Sequence, residues 1–568
     1  MTSFLASTRR QKLSQLFKKR GFLDLLIIGT VVVIAFVLRF INYTNIVAYP
    51  DEFTYYYRAL ATLSYNWAWS KQFMLDQPPI YMYVLSIITF FYNDQLNTFR
   101  LFSVIFGSLT AGMVYLLGKA IFNRLVGLLA AFFFAFSGFD ILYSRLAQQE
   151  ALTLFLVTAT LYFFWMGVMR PQKSLKYSIA GGVFLGLAVD TKYIALIVPL
   201  TFIIFFFLMG RNWTRFRFLD KEFRSRLISR EFGALLGIAF LTVLPVIIEL
   251  YINGVDAIYW DVLGKFVNVS SPFYRSFSPG TIVFSALSSY TQLLTFVSSF
   301  TSSSQSVFPA YNLYSFLMVL SIFGILIYFF AAFWKKRAGE TFVFVLFLVV
   351  VIFFLFYHTR FQYYQLYTFP AFPLMFARLF ERSIVRFSAS LARGARTVRP
   401  LVFVAFVILC LVFSTGILAG TTSAKYGHGA NDDLLSFFNA IKANGNSTVT
   451  IAVTPIEGLQ FVSYYLNQMN ISANVITLVG IGTPSDNPNI RTLEVPIQNS
   501  TSLVSEVITV LPLSVYHPNY IVLGEDEYQT LFTTSMKLYI AQSYTPLMIS
   551  SGFIIFQRVA TPTSNILG

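Results

Sequence analysis

Long apolar runs recur along the chain, and they constrain its fold more than any other feature. Most are about 18–22 residues long, which is the length that an α-helix needs to cross a hydrocarbon core about 30 Å thick. The chain of 568 residues is 56% hydrophobic and only 12% charged. The sequence therefore predicts a mainly α polytopic membrane protein embedded in a lipid bilayer.

We place about eleven spans, near residues 22–41, 99–119, 125–143, 150–169, 177–190, 193–209, 232–252, 312–334, 340–357, 362–380 and 401–420. The first run has no small-residue cleavage site, so we expect a retained span and not a signal peptide. The run Pro79–Tyr92 is short for a span and predicts an amphipathic helix on the outer membrane surface. A semi-polar run at 281–298 leaves open a re-entrant or additional helix, with up to 13 spans.

Basic residues fall in every second loop between the predicted spans. The clusters are Arg9–Arg20, Lys119/Arg124, Arg170–Lys176, Arg211–Arg230, Lys335–Arg337 and Arg378–Arg399. Because Lys-rich and Arg-rich loops stay in the cytoplasm, this alternation predicts a cytoplasmic N-terminus and external loops at 42–98 and 253–311. These anchoring loops account for the net charge of +16 without a nucleic-acid partner. We expect a multi-pass protein of the cell membrane.

The chain becomes polar from about Thr421. Short β-like runs at 448–453, 520–523 and 552–559 alternate with helical stretches at 459–467 and 525–535. We therefore predict a membrane domain over 1–420, followed by a small external α/β domain over 421–568. Asn-X-Ser/Thr triplets at Asn446, Asn470 and Asn499 are compatible with an external location.

Thirteen ionisable residues collect at the predicted external ends of the spans. They are Asp51, Glu52, Arg58, Asp76, Arg100, Asp140, Arg145, Glu150, Asp190, Lys192, Glu249, His358 and Arg360. One such residue is typically an anchor at the interface, but thirteen of both signs favour a shared polar cavity. Arg and Lys can hold phosphate oxygens, and a carboxylate beside them can act as a base.

The sequence lacks the motifs of other catalytic classes. There is no Gly-rich phosphate loop with Lys and no Ser-centred nucleophile motif. The single Cys410 excludes disulfides and Cys-based metal sites, and three histidines disfavour a His-rich metal site. Two or three carboxylates can still hold a divalent cation, so metal use stays open and no cofactor is predicted with certainty.

The ordered external motifs resemble those of the GT-C membrane glycosyltransferases. They are Asp51-Glu52 followed by aromatic residues, Gln77-Pro78-Pro79-Ile80-Tyr81, Arg100-Leu101-Phe102-Ser103, Tyr143-Ser144-Arg145 with Glu150, and Asp190-Thr191-Lys192. More narrowly, they are similar to dolichyl-phosphate-mannose–protein mannosyltransferases and lipid A aminoarabinose transferases. The resemblance covers roughly residues 20–210 well and His358–Pro373 loosely. It implies a GT-C fold with external juxtamembrane helices.

The resemblance implies an inverting transfer of a sugar, with mannose expected, from a polyprenyl- or dolichyl-phosphate donor. The acceptor would be a hydroxyl of a protein or of a lipid-linked glycan. Asp51 would be the base, Glu52 would orient the acceptor, sugar or a metal, and Glu150 would be a further catalytic acid, although many relatives have Asp there. Contacts to donor phosphate or substrate are expected from Arg58, Arg100, Arg145, Lys192, His358 and Arg360. Acceptor or loop contacts are expected from Tyr55, Asp76 and Gln77, although relatives with protein acceptors often have His where this chain has Gln77.

Two other functions are weighed against this one. A transporter or flippase for lipid-linked sugars would place charges near the bilayer midplane on discontinuous helices, whereas here the charges gather at the outer edge. A non-catalytic glycan-binding subunit would lack the Asp51 base. The aromatic residues of the loop 253–311 either cover the donor lipid or simply lie at the membrane–water interface, where Trp and Tyr are common.

Overall fold

The computed structural model describes most of the first 253 residues and several later segments. The described residues are 2–41, 43–45, 52–53, 55–56, 58–59, 78–89, 95–170, 172, 174–210, 221–253, 326–356, 366–390, 428–443, 449–453, 461–462, 464–466, 469, 471, 473–477, 490–493, 517–524, 534–550 and 553–559.

Apolar helices make up most of this structure. They are α1 (Thr2–Phe40), α2 (Ile80–Thr89), α3 (Gln95–Ile121), α4 (Arg124–Ala135), α5 (Gly138–Tyr143), α6 (Glu150–Phe164), α7 (Leu175–Thr191), α8 (Ile197–Gly210), α9 (Lys221–Leu227), α10 (Arg230–Asn253), α11 (Ala338–Phe356) and α12 (Phe372–Ser390). A π-helical turn, Trp165–Met169, continues α6, and a 3-10 turn, Tyr193–Leu196, precedes α8.

Five stretches within the described residues are long and apolar enough to cross a membrane. They are Gly21–Phe40, Leu96–Ile121, Glu150–Met169, Tyr193–Gly210 and Arg224–Ile248. Each coincides with a predicted span, and the predicted spans at 177–190 and 340–357 are also helical, as α7 and α11. The total of about eleven spans stays a prediction, because the described residues do not include the predicted span at 401–420, the semi-polar run at 281–298 or the loop 253–311 beyond its first residue.

Two predicted spans are not single helices in the structure. In the run 125–143, α4 ends at Ala135, and Ser137 adopts an extended conformation (φ −67°, ψ 110°) before α5 begins. In the run 362–380, a short turn precedes α12, which starts at Phe372 and continues to Ser390. Pro373 is the second residue of α12, where a missing N–H costs no intrahelical hydrogen bond.

The run Pro79–Tyr92 contains α2, a helix of ten residues. At 1.5 Å per residue it is about 15 Å long, which is half of what a bilayer core requires. The buried face of this helix is formed by Tyr81, Met82, Leu85, Ser86 and Thr89. Its predicted position on the outer membrane surface stays a prediction.

Small residues and aromatic rings hold the helices together. At Gly182 and Gly186 of α7, an added Cβ would lie 2.6 Å from the backbone oxygen of Leu235 and 2.4 Å from Cβ of Thr242, respectively. This spacing of small residues lets α7 and α10 approach closely, as is common between membrane helices. Rings fill the neighbouring space, where Phe164 of α6 stacks on Phe202 of α8 with centroids 3.8 Å apart.

Charged clusters lie at both ends of α3. At its C-terminal end, Asp24 of α1 accepts hydrogen bonds from Tyr115, Lys119 and Arg124. Arg100 lies near the other end, 19 residues before Lys119, or about 28 Å away along the helix. This separation matches the thickness of a bilayer core, as expected for a helix with polar ends in the two interfaces.

The described strands of the C-terminal third form one mixed sheet with the order β3-β2-β1-β4-β6-β5. They are β1 (Val449–Val453), β2 (Ala473–Thr477), β3 (Ile490–Leu493), β4 (Tyr520–Gly524), β5 (Tyr544–Ser550) and β6 (Phe553–Arg558), accompanied by α13 (His428–Ala443) and α14 (Thr534–Ser543). The first four strands are parallel, and β6 is antiparallel to both β4 and β5.

Three of the six strands, β1, β4 and β6, lie at the predicted β-like runs, whereas β2, β3 and β5 were not predicted. In β5, Pro546 lies where the register shifts, and the strand is at the edge of the sheet, where proline is tolerated. Of the predicted helix at 525–535, residues 525–533 lie outside the described residues, and α14 begins at Thr534. The external location of this part of the chain stays a prediction.

Candidate active site

Glu52 is the buried centre of the site. Its side chain is 0% exposed, and Nε and Nη2 of Arg100 donate hydrogen bonds to Oε1 and Oε2, each over 2.8 Å. The backbone N–H of Ala147 also donates to Oε1, over 2.7 Å. Two parallel bonds from one guanidinium hold a carboxylate strongly and in one orientation. Glu52 therefore ties its own segment to α3 and to the turn between α5 and α6.

That turn is also fixed to the end of α1 by Arg145. Its Nε donates to the backbone oxygen of Arg39 over 3.1 Å, and its Nη2 donates to that of Leu38 over 2.8 Å. Carbonyl groups at a helix C-terminus carry partial negative charge and favour a cation. Burial and the neighbouring Arg39 charge lower the pKa of Arg145 to about 10, so the guanidinium remains charged at neutral pH.

Arg39 forms a second buried ion pair, with Asp140 of α5. The Nη2–Oδ2 distance is 2.6 Å, and Ser144 Oγ donates to the same carboxylate oxygen over 3.0 Å. Gly107 of α3 makes room for this group, because an added Cβ would lie 2.2 Å from Ser144 Oγ and 3.2 Å from Arg39 Nε. Sequence reasoning missed Arg39. The available signal was a charge just inside the end of an apolar run, which is costly without a partner.

Glu150 and Lys192 form a third pair, between the start of α6 and the end of α7. Lys192 Nζ donates to Glu150 Oε1, and the Glu150 carboxylate also lies where the α6 N-terminus favours negative charge. Within the described residues, Glu150 Oε2 and Asp190 Oδ1 are buried without a hydrogen-bond partner. Buried carboxylate oxygens are normally hydrogen-bonded, so these two acceptors can bind a polar group that enters the site.

Tyrosines of the first loop and of α2 complete this region. Tyr55 is buried and packs edge-to-face on Tyr81, with ring centroids 5.2 Å apart. Burial and the charges of Glu150 and Glu52 raise the pKa of Tyr81 well above its ordinary value. Tyr81 is therefore a neutral phenol that lies near both carboxylates.

The structure describes seven of the twelve predicted site residues. Six of them are buried, and Lys192 is partly exposed; the seven are Glu52, Tyr55, Arg58, Arg100, Arg145, Glu150 and Lys192. The remaining five, Asp51, Asp76, Gln77, His358 and Arg360, lie outside the described residues. The turn from Ser144 to Glu150 carries Arg145 and Glu150 and contacts α1, α3 and Glu52.

Metal binding finds no support in the described part of the chain, where no group of three or more His, Cys, Asp or Glu side chains could hold an ion. The divalent cation stays a prediction. Three of the predicted phosphate-binding cations, Arg100, Arg145 and Lys192, already have protein partners.

Comparisons with known proteins identify the architecture. Residues 76–248 match the family model described as dolichyl-phosphate-mannose-protein mannosyltransferase. The fold is similar to that of ArnT from Cupriavidus metallidurans bound to undecaprenyl phosphate, with a TM-score of 0.54, 13% identity, and coverage of 95% of this chain and 98% of that one. ArnT in the apo state gives a TM-score of 0.56, 13% identity, and coverage of 96% and 99%.

A further similar structure is that of the archaeal oligosaccharyltransferase AglB from Archaeoglobus fulgidus, in complex with an inhibitory peptide and a dolichol-phosphate. The TM-score is 0.53, with 14% identity, and the match covers 96% of this chain and 75% of that one. No curated protein matches the chain in sequence. At these identities the likenesses show the fold. The predicted resemblance to GT-C membrane glycosyltransferases is thereby confirmed, and the apolar helices agree with a multi-pass membrane protein.

Proposed function

Because the chain has the fold of the GT-C membrane glycosyltransferases, we propose that it is an inverting glycosyltransferase with a polyprenyl-phosphate-linked sugar as donor. The observation that carries this proposal is the buried Glu52–Arg100 pair, which holds Glu52 against the helical bundle. The pair is linked through Ala147 to the same turn that ends in Glu150 and its partner Lys192. Acids and cations are thus concentrated at one end of the bundle.

We assign the role of base to Asp51 and a positioning role to Glu52. Both carboxylate oxygens of Glu52 accept hydrogen bonds from Arg100, so this carboxylate is held in one orientation by the protein itself. Asp51 is joined to Glu52 by one peptide bond, so their Cα atoms are about 3.8 Å apart. Anchoring Glu52 therefore limits where the Asp51 backbone lies.

The proposed reaction is a single displacement. Asp51 takes the proton of the acceptor hydroxyl, and the hydroxyl oxygen forms a bond to the anomeric carbon of the donor sugar. The bond between that carbon and the phosphate oxygen breaks, polyprenyl phosphate leaves, and the configuration inverts. A phosphate is a good leaving group, so no second acid is required to protonate it.

Among the described cations, Lys192 is the best candidate for a donor-phosphate contact. Its side chain is 13% exposed, compared with 2% for Arg100, and a Lys ammonium can exchange one oxygen partner for another more easily than a bidentate guanidinium. We propose that Arg100 and Arg145 organise the loops. His358 and Arg360 stay candidates for phosphate contacts from outside the described part, and Arg58 and Tyr55 for contacts around the acidic segment.

The similar structures and the family match support the substrate classes. The ArnT structure contains undecaprenyl phosphate, and the AglB structure contains a dolichol-phosphate and a peptide. We therefore propose a polyprenyl or dolichyl phosphate as the lipid carrier and a protein or lipid-linked glycan as the acceptor. The family description names dolichyl-phosphate-mannose, which makes mannose the first sugar to test.

The test is a transfer assay with the full chain in lipid nanodiscs and donors labelled in the sugar. We expect release of polyprenyl phosphate together with labelled acceptor, and Asp51→Asn should lower turnover by about 10²–10⁴-fold, the usual contribution of a general base. Glu231→Gln, at the start of α10, is the matched control and should keep full turnover.

Full turnover by Asp51→Asn would refute the assigned base. A wild-type chain that releases no polyprenyl phosphate from any donor would refute the glycosyltransferase assignment. Movement of intact donor across a vesicle without sugar transfer would favour the transporter instead.

A further inference from the structure

The residue after Glu52 is enclosed by aromatic rings from the C-terminal third of the chain. Phe53 is 0% exposed. Its ring lies 5.6 Å from that of Phe461, 5.1 Å from that of Tyr464 and 6.3 Å from that of Tyr465, measured between centroids. The ring of Tyr56 also contacts Tyr464, edge-to-face at 5.4 Å. The acidic segment thus packs against a part of the chain about 400 residues away.

The three enclosing residues share one helical face. Phe461, Tyr464 and Tyr465 are spaced by three and four positions, and all three are helical in the structure, so their side chains point the same way. Behind this face, Phe438 of α13 stacks on Tyr465 with centroids 4.9 Å apart and an interplanar angle of 12°. Phe438 is itself fully buried. The aromatic face is therefore supported by the same unit that carries the sheet.

The face also lies close to the ion pair. The charges of Arg100 and Glu52 both act on the Tyr465 hydroxyl, which is buried. Glu52 and Phe53 are consecutive, and they are held from two sides. Arg100 and the Ala147 amide hold Glu52 from the helical bundle, and the aromatic face holds Phe53 from the C-terminal third.

From this geometry we infer that the aromatic face of Phe461, Tyr464 and Tyr465 is a positioning element for the acid Asp51. Removal of one of its rings leaves a cavity beside Phe53 and lets the acidic segment shift. A displacement of about 1 Å at a reacting group can lower the rate by about 100-fold. The inference rests on the proposed function for its kinetic part, whereas the contact itself can be tested without any activity.

The kinetic test compares three variants. Phe461→Leu should lower kcat by about 10–100-fold per folded molecule and change KM for the donor by less than about threefold. Phe461→Tyr keeps the ring and should keep kcat. Phe344→Leu is the matched control, because Phe344 of α11 is also buried but packs on Phe329 and Phe333, away from the aromatic face, and its replacement should leave kcat unchanged. The folded fraction of each variant is measured by size-exclusion chromatography, so that loss of protein is not counted as loss of rate.

Unchanged kcat in Phe461→Leu, or an equal fall in Phe344→Leu, would overturn the inference. The contact is tested separately with a photoreactive benzoyl-phenylalanine placed at position 464, which is 9% exposed. It should cross-link to the peptide that contains Glu52–Tyr56. Turnover without this cross-link would overturn the inference alone, and the cross-link without wild-type turnover would overturn the proposed function and leave only the contact.

Discussion

Removal of Arg100 should be among the most damaging single changes to stability in this structure. Arg100→Met keeps an unbranched apolar side chain but removes the cation from a carboxylate that is 0% exposed. Glu52 then loses two hydrogen bonds of 2.8 Å from Arg100, while the bond from the Ala147 N–H remains. An uncompensated buried charge of this kind costs about 3–5 kcal/mol. We expect a loss of that size in the free energy of unfolding.

The double variant decides whether this loss comes from the pair. Glu52→Gln combined with Arg100→Met leaves no buried charge at either position, so the combined loss should be clearly smaller than the sum of the single losses. Residues in direct contact typically show coupling energies of about 0.5–3 kcal/mol. Because both partners are buried, we expect a coupling energy at the upper end of this range, about 2 kcal/mol or more.

The assay is equilibrium unfolding of the four proteins in mixed micelles with increasing SDS, followed by tryptophan fluorescence. Arg124→Met is a control from another cluster, where the bond to Asp24 is also 2.8 Å but the arginine side chain is 36% exposed. Exposed pairs contribute about 0.2–1 kcal/mol, so this control should lose much less. Additive single losses, with coupling below about 0.5 kcal/mol, would refute the argument that the buried pair holds the acidic segment in place.

Three further predictions address other parts of the site. Gly107→Ala should destabilise the chain by about 1–3 kcal/mol through overcrowding, whereas Gly233→Ala, where an added Cβ meets nothing within 4 Å, should be neutral or slightly stabilising in thermal unfolding. Lys192→Met should raise KM for the donor, and it should lower stability because Glu150 then lacks its cation. Lys192→Arg keeps the cation and should therefore be more stable than Lys192→Met; equal stability of the two variants would contradict the pairing. Burial raises the pKa of Tyr465 to about 12, whereas a Tyr in the unfolded chain ionises near pH 10. The contribution of this tyrosine to stability is therefore complete below about pH 10 and is lost between pH 10 and 12. Tyr465→Phe should lose less stability over that interval, as measured by urea titration.

The helical part of the fold was predictable because the bilayer imposes one length on every span. The helices α1, α3, α6, α8 and α10 lie at predicted spans, since about 20 apolar residues in sequence admit few other structures in lipid. The break between α4 and α5 could not be predicted in this way. It occurs inside a continuous apolar run, and it places Asp140 against Arg39, a partner 101 residues away.

The composition of the site was also predictable, but its pairings were not. Charges at predicted external span ends include Glu52, Arg100, Glu150 and Lys192, and the structure brings these together. The choice of partners depends on the turn before α6, whose amide at Ala147 contacts Glu52 across 95 residues of sequence. No local pattern contains that information. The aromatic contact of Phe53 with the C-terminal third was missed for the same reason.

The order of the two acids in Asp51-Glu52 has a physical consequence that the sequence pattern alone does not give. Two adjacent carboxylates in a poorly solvated site would repel each other and favour protonation of one of them. Arg100 removes most of this repulsion, because it makes the Glu52 pair nearly neutral as a unit. A second carboxylate can then stay ionised one peptide bond away, as a base must. Glu52→Gln should therefore leave Arg100 as an uncompensated cation, and under the role proposed for Asp51 this cation lowers the basicity of the base. The pH at which turnover is half-maximal should shift downward in this variant, whereas a fall in turnover of about 10²–10⁴-fold at every pH would show that Glu52, not Asp51, accepts the proton.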